Sequence, residues 1–217
     1  MNKLKLLYDV VKNLRDKEMI NGALTAQVQK DQGKIFYLKN QFEKNLVTMQ
    51  TTATVTSEVD YEGKQVKHQS TTEFKHHCSD KSMRHKLFNH MHHGRKCGGL
   101  KAKLTKFAFV LGLLDRMKAE QQENKTTLVT LEITELPEDI KSLIQEKMNH
   151  MESRQDHDRC CFMKELHYIE KGNFSLAMSV SKDDEIEKIV ITFDGVQHDE
   201  ENKEHVLAIV VELELNT

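Results

Sequence analysis

Proline and tryptophan are nearly absent from the 217-residue sequence: it has one proline and no tryptophan, and aromatic residues make up 6%. One proline excludes a proline-rich linker, and the lack of tryptophan argues against a secreted lectin-like protein that stacks sugars on indole rings. Apolar residues make up 38% and charged residues 30%, a composition richer in apolar residues than that of disordered chains. We therefore expect a compact intracellular module with a thin core.

Long hydrophobic runs and export signals are also missing. The N-terminal residues 1–18 mix charges into every turn and have neither an apolar h-region nor a small-residue cleavage site. The longest apolar run, at 107–114, is far shorter than the roughly 20 residues that a membrane-spanning helix needs. We expect no membrane span and a cytoplasmic location, where the four cysteines would be reduced thiols.

Signatures of catalysis are absent as well. The chain contains no G-x-S-x-G, P-loop, G-x-G-x-x-G or H-E-x-x-H motif. Paired carboxylates such as Asp183 and Asp184 fall in a predicted turn, where solvation is their ordinary role. The sequence therefore favours a non-enzymatic protein.

Charge is distributed unevenly along the chain, although the net charge is only −2. Residues 75–106 hold nine Lys or Arg against Asp80 alone, whereas residues 182–204 hold nine acidic residues against three lysines. Such blocks attract an acidic partner or face one another within the fold. The basic block lacks interleaved aromatic residues and any nucleic-acid motif, and this argues against nucleic acid as the partner.

Hydrophobic periodicity predicts an α+β fold, namely a curved antiparallel β-sheet with amphipathic helices packed on one face. The best hairpin spans 48–74 around a Gly-containing turn, and 35–46 fits either a strand or a short helix. We expect a single α+β domain over 1–217 with a His/Cys-rich helix-loop insertion at 76–99. Helices are predicted over 3–17, 80–93, 100–121 and 137–151, and further strands over 23–29, 126–136, 160–170, 173–181, 186–195 and 205–215.

The segment NFSLAMSVSKDDEIEKIVITFDG, at 173–195, resembles the strand-turn-strand unit of the bacterial lipoprotein-carrier families, the LolA-like and LppX-like proteins. In those families a chain that begins with a helix wraps a curved antiparallel sheet around helices. The resemblance covers this hairpin and the helix-then-strands opening of the chain. It implies a fold and no particular site residues.

One segment has a composition that points to chemistry: 76–97 holds six of the twelve histidines and two of the four cysteines. Imidazole nitrogen and thiolate sulfur are the ligands that zinc, nickel and copper ions take. His90 and His93 are three residues apart and share one face of the predicted helix, but no zinc-finger spacing is present. The predicted transition-metal ligands are His76, His77, Cys78, His85, His90, His92, His93 and Cys97.

A secondary metal set consists of His157, Cys160 and Cys161, although a free cysteine at the start of a strand is usually a core residue. The histidines of 76–97 also fit a solvated helix face that merely titrates. The leading hypothesis is a non-enzymatic protein that sequesters or senses a Zn, Ni or Cu ion. The alternative is a binding module that holds an apolar ligand or a partner protein between the curved sheet and the helices.

Overall fold

The computed structural model describes residues 2–61, 63–75, 112–134, 169–198 and 203–216. These residues form one well-defined helix and nine strands. The helix, α1, spans Lys3–Asp16. The strands are β1 Met19–Lys30, β2 Gly33–Asn45, β3 Gln50–Tyr61, β4 Lys64–Lys75, β5 Lys118–Gln121, β6 Thr127–Ile133, β7 Ile169–Val180, β8 Ile186–His198 and β9 Glu204–Asn216.

All nine strands belong to one antiparallel sheet in the order β4-β3-β2-β1-β9-β8-β7-β6-β5. Strands β1 to β4 form one meander and β5 to β9 form another. The two meanders meet where β1 pairs with β9, in a register that runs from Asn21 opposite Asn216 to Lys30 opposite Leu207. Within the described residues this β1–β9 seam is the one strand pairing that joins the two halves of the sheet.

The sheet has one apolar face, which the strand register defines. Side chains alternate between the two faces along a strand, and residues directly opposite each other on neighbouring strands share a face. The buried residues of β6 therefore mark the face to which their partners on the next strands also belong. This apolar face includes Val129, Leu131, Ile133, Leu176, Met178, Val180, Ile189, Ile191, Phe193, Leu207, Ile209, Val211, Leu213, Leu24, Ala26, Val28, Phe36, Leu38 and Phe42.

Helix α1 packs on one end of the apolar face. The Asn2 side chain caps the helix by accepting hydrogen bonds from the backbone N–H groups of Leu4 and Lys5, at 3.1 and 3.2 Å. Leu6 and Val10, four residues apart on one helical face, are buried against a cluster that includes Val129, Met178 and Val180. Helix α1 thus covers the β6–β7–β8 part of the sheet and completes the larger core cluster.

Polar contacts fix the C-terminal end of α1 to the β7–β8 turn. The Asn13 side-chain amide donates to the backbone carbonyl of Asp183 at 2.7 Å, and Lys17 Nζ lies 2.8 Å from Glu185 Oε1. These contacts set the position of α1 along the strands. Among the described residues, no helix is both long and apolar enough to cross a bilayer.

The α+β prediction is wrong: the fold is mainly β, and the described residues form a single nine-stranded antiparallel sheet with α1 on one end of its apolar face. Part of the error lies in the helix predicted over 100–121. Residues 112–116 are helical, but Lys118–Gln121 form β5, paired with β6. There, pairing with a neighbouring strand overrides the helical periodicity of the sequence. The helices predicted over 80–93 and 137–151, and the insertion at 76–99, lie outside the described residues.

Several local predictions are confirmed. The helix predicted over 3–17 is α1, and the hairpin predicted over 48–74 is β3–β4. The ambiguous segment 35–46 is a strand as far as Asn45, where β2 ends. At 160–181 the sequence predicts two strands that break near Gly172, whereas β7 runs without interruption from Ile169 to Val180. A register shift between Ile169 and Lys171 accommodates this stretch as a bulge.

We predict that Gly22→Ala weakens the seam. A Cβ at this position would overlap the backbone carbonyl oxygen of Glu214 and crowd Leu215 on the neighbouring strand. Because a backbone atom cannot rotate away, the strands must separate, and we expect a loss of about 1–3 kcal/mol. Urea unfolding measures this loss. In the control, Gly112→Ala, the added Cβ meets no atom within 4 Å in a helical stretch, so its stability should be unchanged or higher; equal losses in both variants would contradict the argument.

Candidate functional site

The middle of the apolar face differs from the end that α1 covers. Beneath α1, Val129 and Val180 are 1% and 0% exposed. On the adjoining strands β9, β1 and β2, Val28 and Leu207 are also buried, but five adjacent apolar side chains are only half-buried and retain accessible surface. We call this part the central section; it consists of Leu24, Ala26, Leu38, Val211 and Leu213. It is a continuous apolar surface across three adjacent strands.

One polar group interrupts the central section. Asn40 of β2 lies opposite Leu24 of β1 and Val55 of β3, on the apolar face. Its Oδ1 atom is buried and has no hydrogen-bond partner in the described part of the chain. A buried acceptor without a donor costs about 1–3 kcal/mol relative to a satisfied one. Asn40 therefore places a buried hydrogen-bond acceptor without a donor among the apolar residues of this face.

A separate depression of about 220 Å³ is lined by Arg116, Lys118, Thr130 and Glu132. Lys118 and Thr130 are directly opposite each other on β5 and β6, on the face opposite the buried β6 residues. The depression is smaller than the 300–1,000 Å³ typical of small-molecule sites and has three charged side chains in its lining. It is a weaker candidate than the central section.

A histidine–aspartate pair lies at one end of the seam. His205 Nδ1 is 2.6 Å from Asp31 Oδ2. A carboxylate only accepts hydrogen bonds, so Nδ1–H is the donor. Asp31 also makes two contacts with Val206: its Oδ1 accepts from the Val206 N–H at 3.0 Å, and its own N–H donates to the Val206 carbonyl at 2.9 Å. These bonds fasten the β1–β2 turn to the start of β9.

The electrostatics of the pair follow from this geometry. The hydrogen bond from His205, and then that from the Val206 N–H, lower the pKa of Asp31 below its ordinary value of 3.8. The turn needs such support because Asp31 and Gln32 both have positive φ, at 49° and 68°. Two-residue hairpin turns with this backbone usually contain glycine or asparagine. The contacts of Asp31 offset the cost of the left-handed conformation.

A histidine oriented by a carboxylate is also part of many hydrolase sites. Here the His205 side chain is only 11% exposed, and its Nδ1–H donates to Asp31 in the β1–β2 turn. We assign the pair to structure. Sequence reasoning missed it because the two residues are 174 positions apart; the Asp-Gln-Gly turn is visible in the sequence, but its partner is not.

The predicted metal ligands His76, His77, Cys78, His85, His90, His92, His93 and Cys97, and the secondary set His157, Cys160 and Cys161, lie outside the described residues. Metal binding by these segments stays a prediction. In the ranges that the structure describes, no three His, Cys, Asp or Glu side chains are placed to hold a metal ion. The described histidines, His68, His198 and His205, lie on β4, β8 and β9.

Comparisons with known proteins identify no family. No protein-family model matches the chain, and no curated protein matches it. One similar solved structure is the crystal structure of an N-terminal dehydratase from the difficidin assembly line, with 10% sequence identity over 97% of this chain and 82% of that chain. The TM-score is 0.14, a value at which the similarity carries no argument about fold or function.

We predict that Asp31→Asn destabilises the protein at neutral pH by about 1 kcal/mol, because it removes the charge from a half-exposed hydrogen-bonded pair. The folded-state pKa of Asp31 lies below 3.8, so the advantage of the wild type is present above that pH and is lost as the pH falls through the folded-state pKa. Urea unfolding from pH 7 to pH 3 tests this. Asp194→Asn, at an exposed position of β8, is the control; a wild-type advantage that did not decrease between pH 7 and pH 3 would contradict the assignment.

Proposed function

We propose that the protein is a non-enzymatic binding module that holds an apolar ligand against the central section of its sheet. The observation that supports this proposal is the half-burial of adjacent apolar side chains on β2, β1 and β9. Burial of apolar surface contributes about 25 cal/mol per Å². A ligand that covers the central section would therefore gain free energy by burying apolar surface that stays accessible in the protein alone.

The other face of the same strands provides the contrast. There, Lys188 of β8 makes ion pairs with Glu212 and Glu214 of β9, and Ser175 and Thr192 share a hydrogen bond of 2.7 Å across β7 and β8. Polar and charged cross-strand pairs of this kind are suited to water. The two faces of the sheet thus differ in polarity, and an apolar ligand fits the apolar face.

Asn40 narrows the class of ligand. Asn40 Oδ1 is already buried without a donor in the protein alone, and a purely apolar ligand would leave it so. A ligand with a hydroxyl or amide N–H beside its apolar part would supply that donor. We therefore propose an amphiphile, a molecule with an apolar body and a hydrogen-bond donor, as the ligand.

The first test uses two neighbouring valines. Val211 belongs to the central section, whereas Val210 is 42% exposed on the opposite face of the same strand. Titration with a fluorescent long-chain alcohol measures affinity. We expect Val211→Ser to weaken binding about three- to tenfold, because it removes apolar contact area, and Val210→Ser to leave it unchanged. Equal effects of the two changes, with folding verified by circular dichroism, would refute the proposal.

The second test concerns the donor. A long-chain alcohol and its methyl ether have similar apolar bodies, but only the alcohol donates a hydrogen bond. We expect the alcohol to displace the fluorescent probe at a lower concentration than the ether, and Asn40→Leu to remove this difference. The same change replaces an unsatisfied buried amide by an apolar group, so the free energy of unfolding should rise by about 1–3 kcal/mol. Equal competition by the two compounds in the wild type would rule out the role of Asn40.

A further inference from the structure

Strand β4 lies at one end of the sheet and spans twelve residues, Lys64–Lys75. Within the described residues it pairs with β3 along one side and with no strand along the other. From Lys64 to Glu73 all its side chains are exposed except Ser70. A long edge strand presents a row of backbone N–H and C=O groups that suits pairing with another strand.

The side chains of β4 have a self-complementary pattern. Residues opposite one another in a ladder share a face, so two copies of β4 that pair antiparallel in one continuous sheet must combine even-numbered positions with even and odd with odd. When the twofold axis passes through Ser70, Lys67 lies opposite Glu73 of the second copy. Both opposite-charge pairs form in this one register.

Neighbouring registers lack this match. When the twofold axis passes through Gln69 instead of Ser70, Lys67 lies opposite Thr71 and Gln65 lies opposite Glu73. With the axis at Thr71, Glu73 lies opposite Gln69, so neither shifted register places Lys67 opposite a carboxylate. The charge pattern of β4 thus selects a register as well as a partner.

We propose that β4 is a homodimerisation surface, and that two copies of the chain join edge to edge through it, centred on Ser70, into one continuous sheet. Lysines on an edge strand ordinarily deter such pairing, but here Lys67 meets a carboxylate of the second copy. Lys67 already lies 2.7 Å from Glu58 on β3 and is still 66% exposed. Glu73 accepts a hydrogen bond from Gln50, which orients its carboxylate on the same face.

The test exchanges the two charges. Glu73→Lys and Lys67→Glu each place like charges opposite one another twice in a homodimer, so each variant alone should dimerise about tenfold or more weakly than the wild type. An equimolar mixture of the two should form heterodimers, because lysine then faces glutamate at both positions. Sedimentation equilibrium measures the dissociation constants, with one variant fluorescently labelled to detect heterodimers.

The control is Glu120→Lys, which makes the same change in charge on an exposed residue of β5, at the opposite edge of the sheet. It should dimerise as the wild type does. A monomeric wild type would overturn the proposal. So would a dimer that neither charge reversal weakens, or a mixture of the two folded variants that forms no heterodimer.

Discussion

The pairing of β1 with β9 is the constraint on which the rest of the structure depends. Within the meanders most paired strands are joined by short turns, although residues 134–168 separate β6 from β7. The seam joins residues much farther apart in the chain, such as Gly22 and Leu215. Closing so long a loop carries an entropic cost that local hairpins avoid. The backbone hydrogen bonds between β1 and β9 offset that cost. So does the small core cluster of Val28, Phe193 and Leu207, which includes residues from both sides of the seam. Gly22 matters because the two backbones approach closely there.

The seam also determines where the candidate site lies. It places β1 and β2 beside β9, so that apolar residues from both ends of the chain form one surface. Helix α1 precedes β1, but it packs across the seam on the other meander, where its contacts with the β7–β8 turn hold it. The helix therefore covers the end of the apolar face and leaves the central section to other contacts. The arrangement separates a buried core beneath α1 from a half-exposed apolar surface on β9, β1 and β2.

Much of the local structure could be predicted from the sequence, because it depends on neighbouring residues. The α1 helix has an apolar stripe at helical spacing, and the β3–β4 hairpin has a Gly-containing turn between Thr- and Val-rich arms. The fold class was wrong because local patterns do not show which segments a sheet recruits: β5 has a helical periodicity but pairs with β6. The Asp31–His205 pair and the position of Asn40 depend on strand order and register, which no single segment reveals.

The proposed dimer has a consequence for the candidate site. An antiparallel pairing of two β4 strands in one sheet requires a twofold axis perpendicular to the sheet, and such an axis leaves both apolar faces on the same side. The two central sections would then lie on one side of a single continuous sheet, separated by β3 and β4 of each copy. On this face β3 and β4 carry Ser57, Ser70 and Thr72 among apolar residues, so the surface between the two central sections is more polar than either of them. Each copy would therefore keep its own ligand surface, and dimerisation would double the number of sites without merging them.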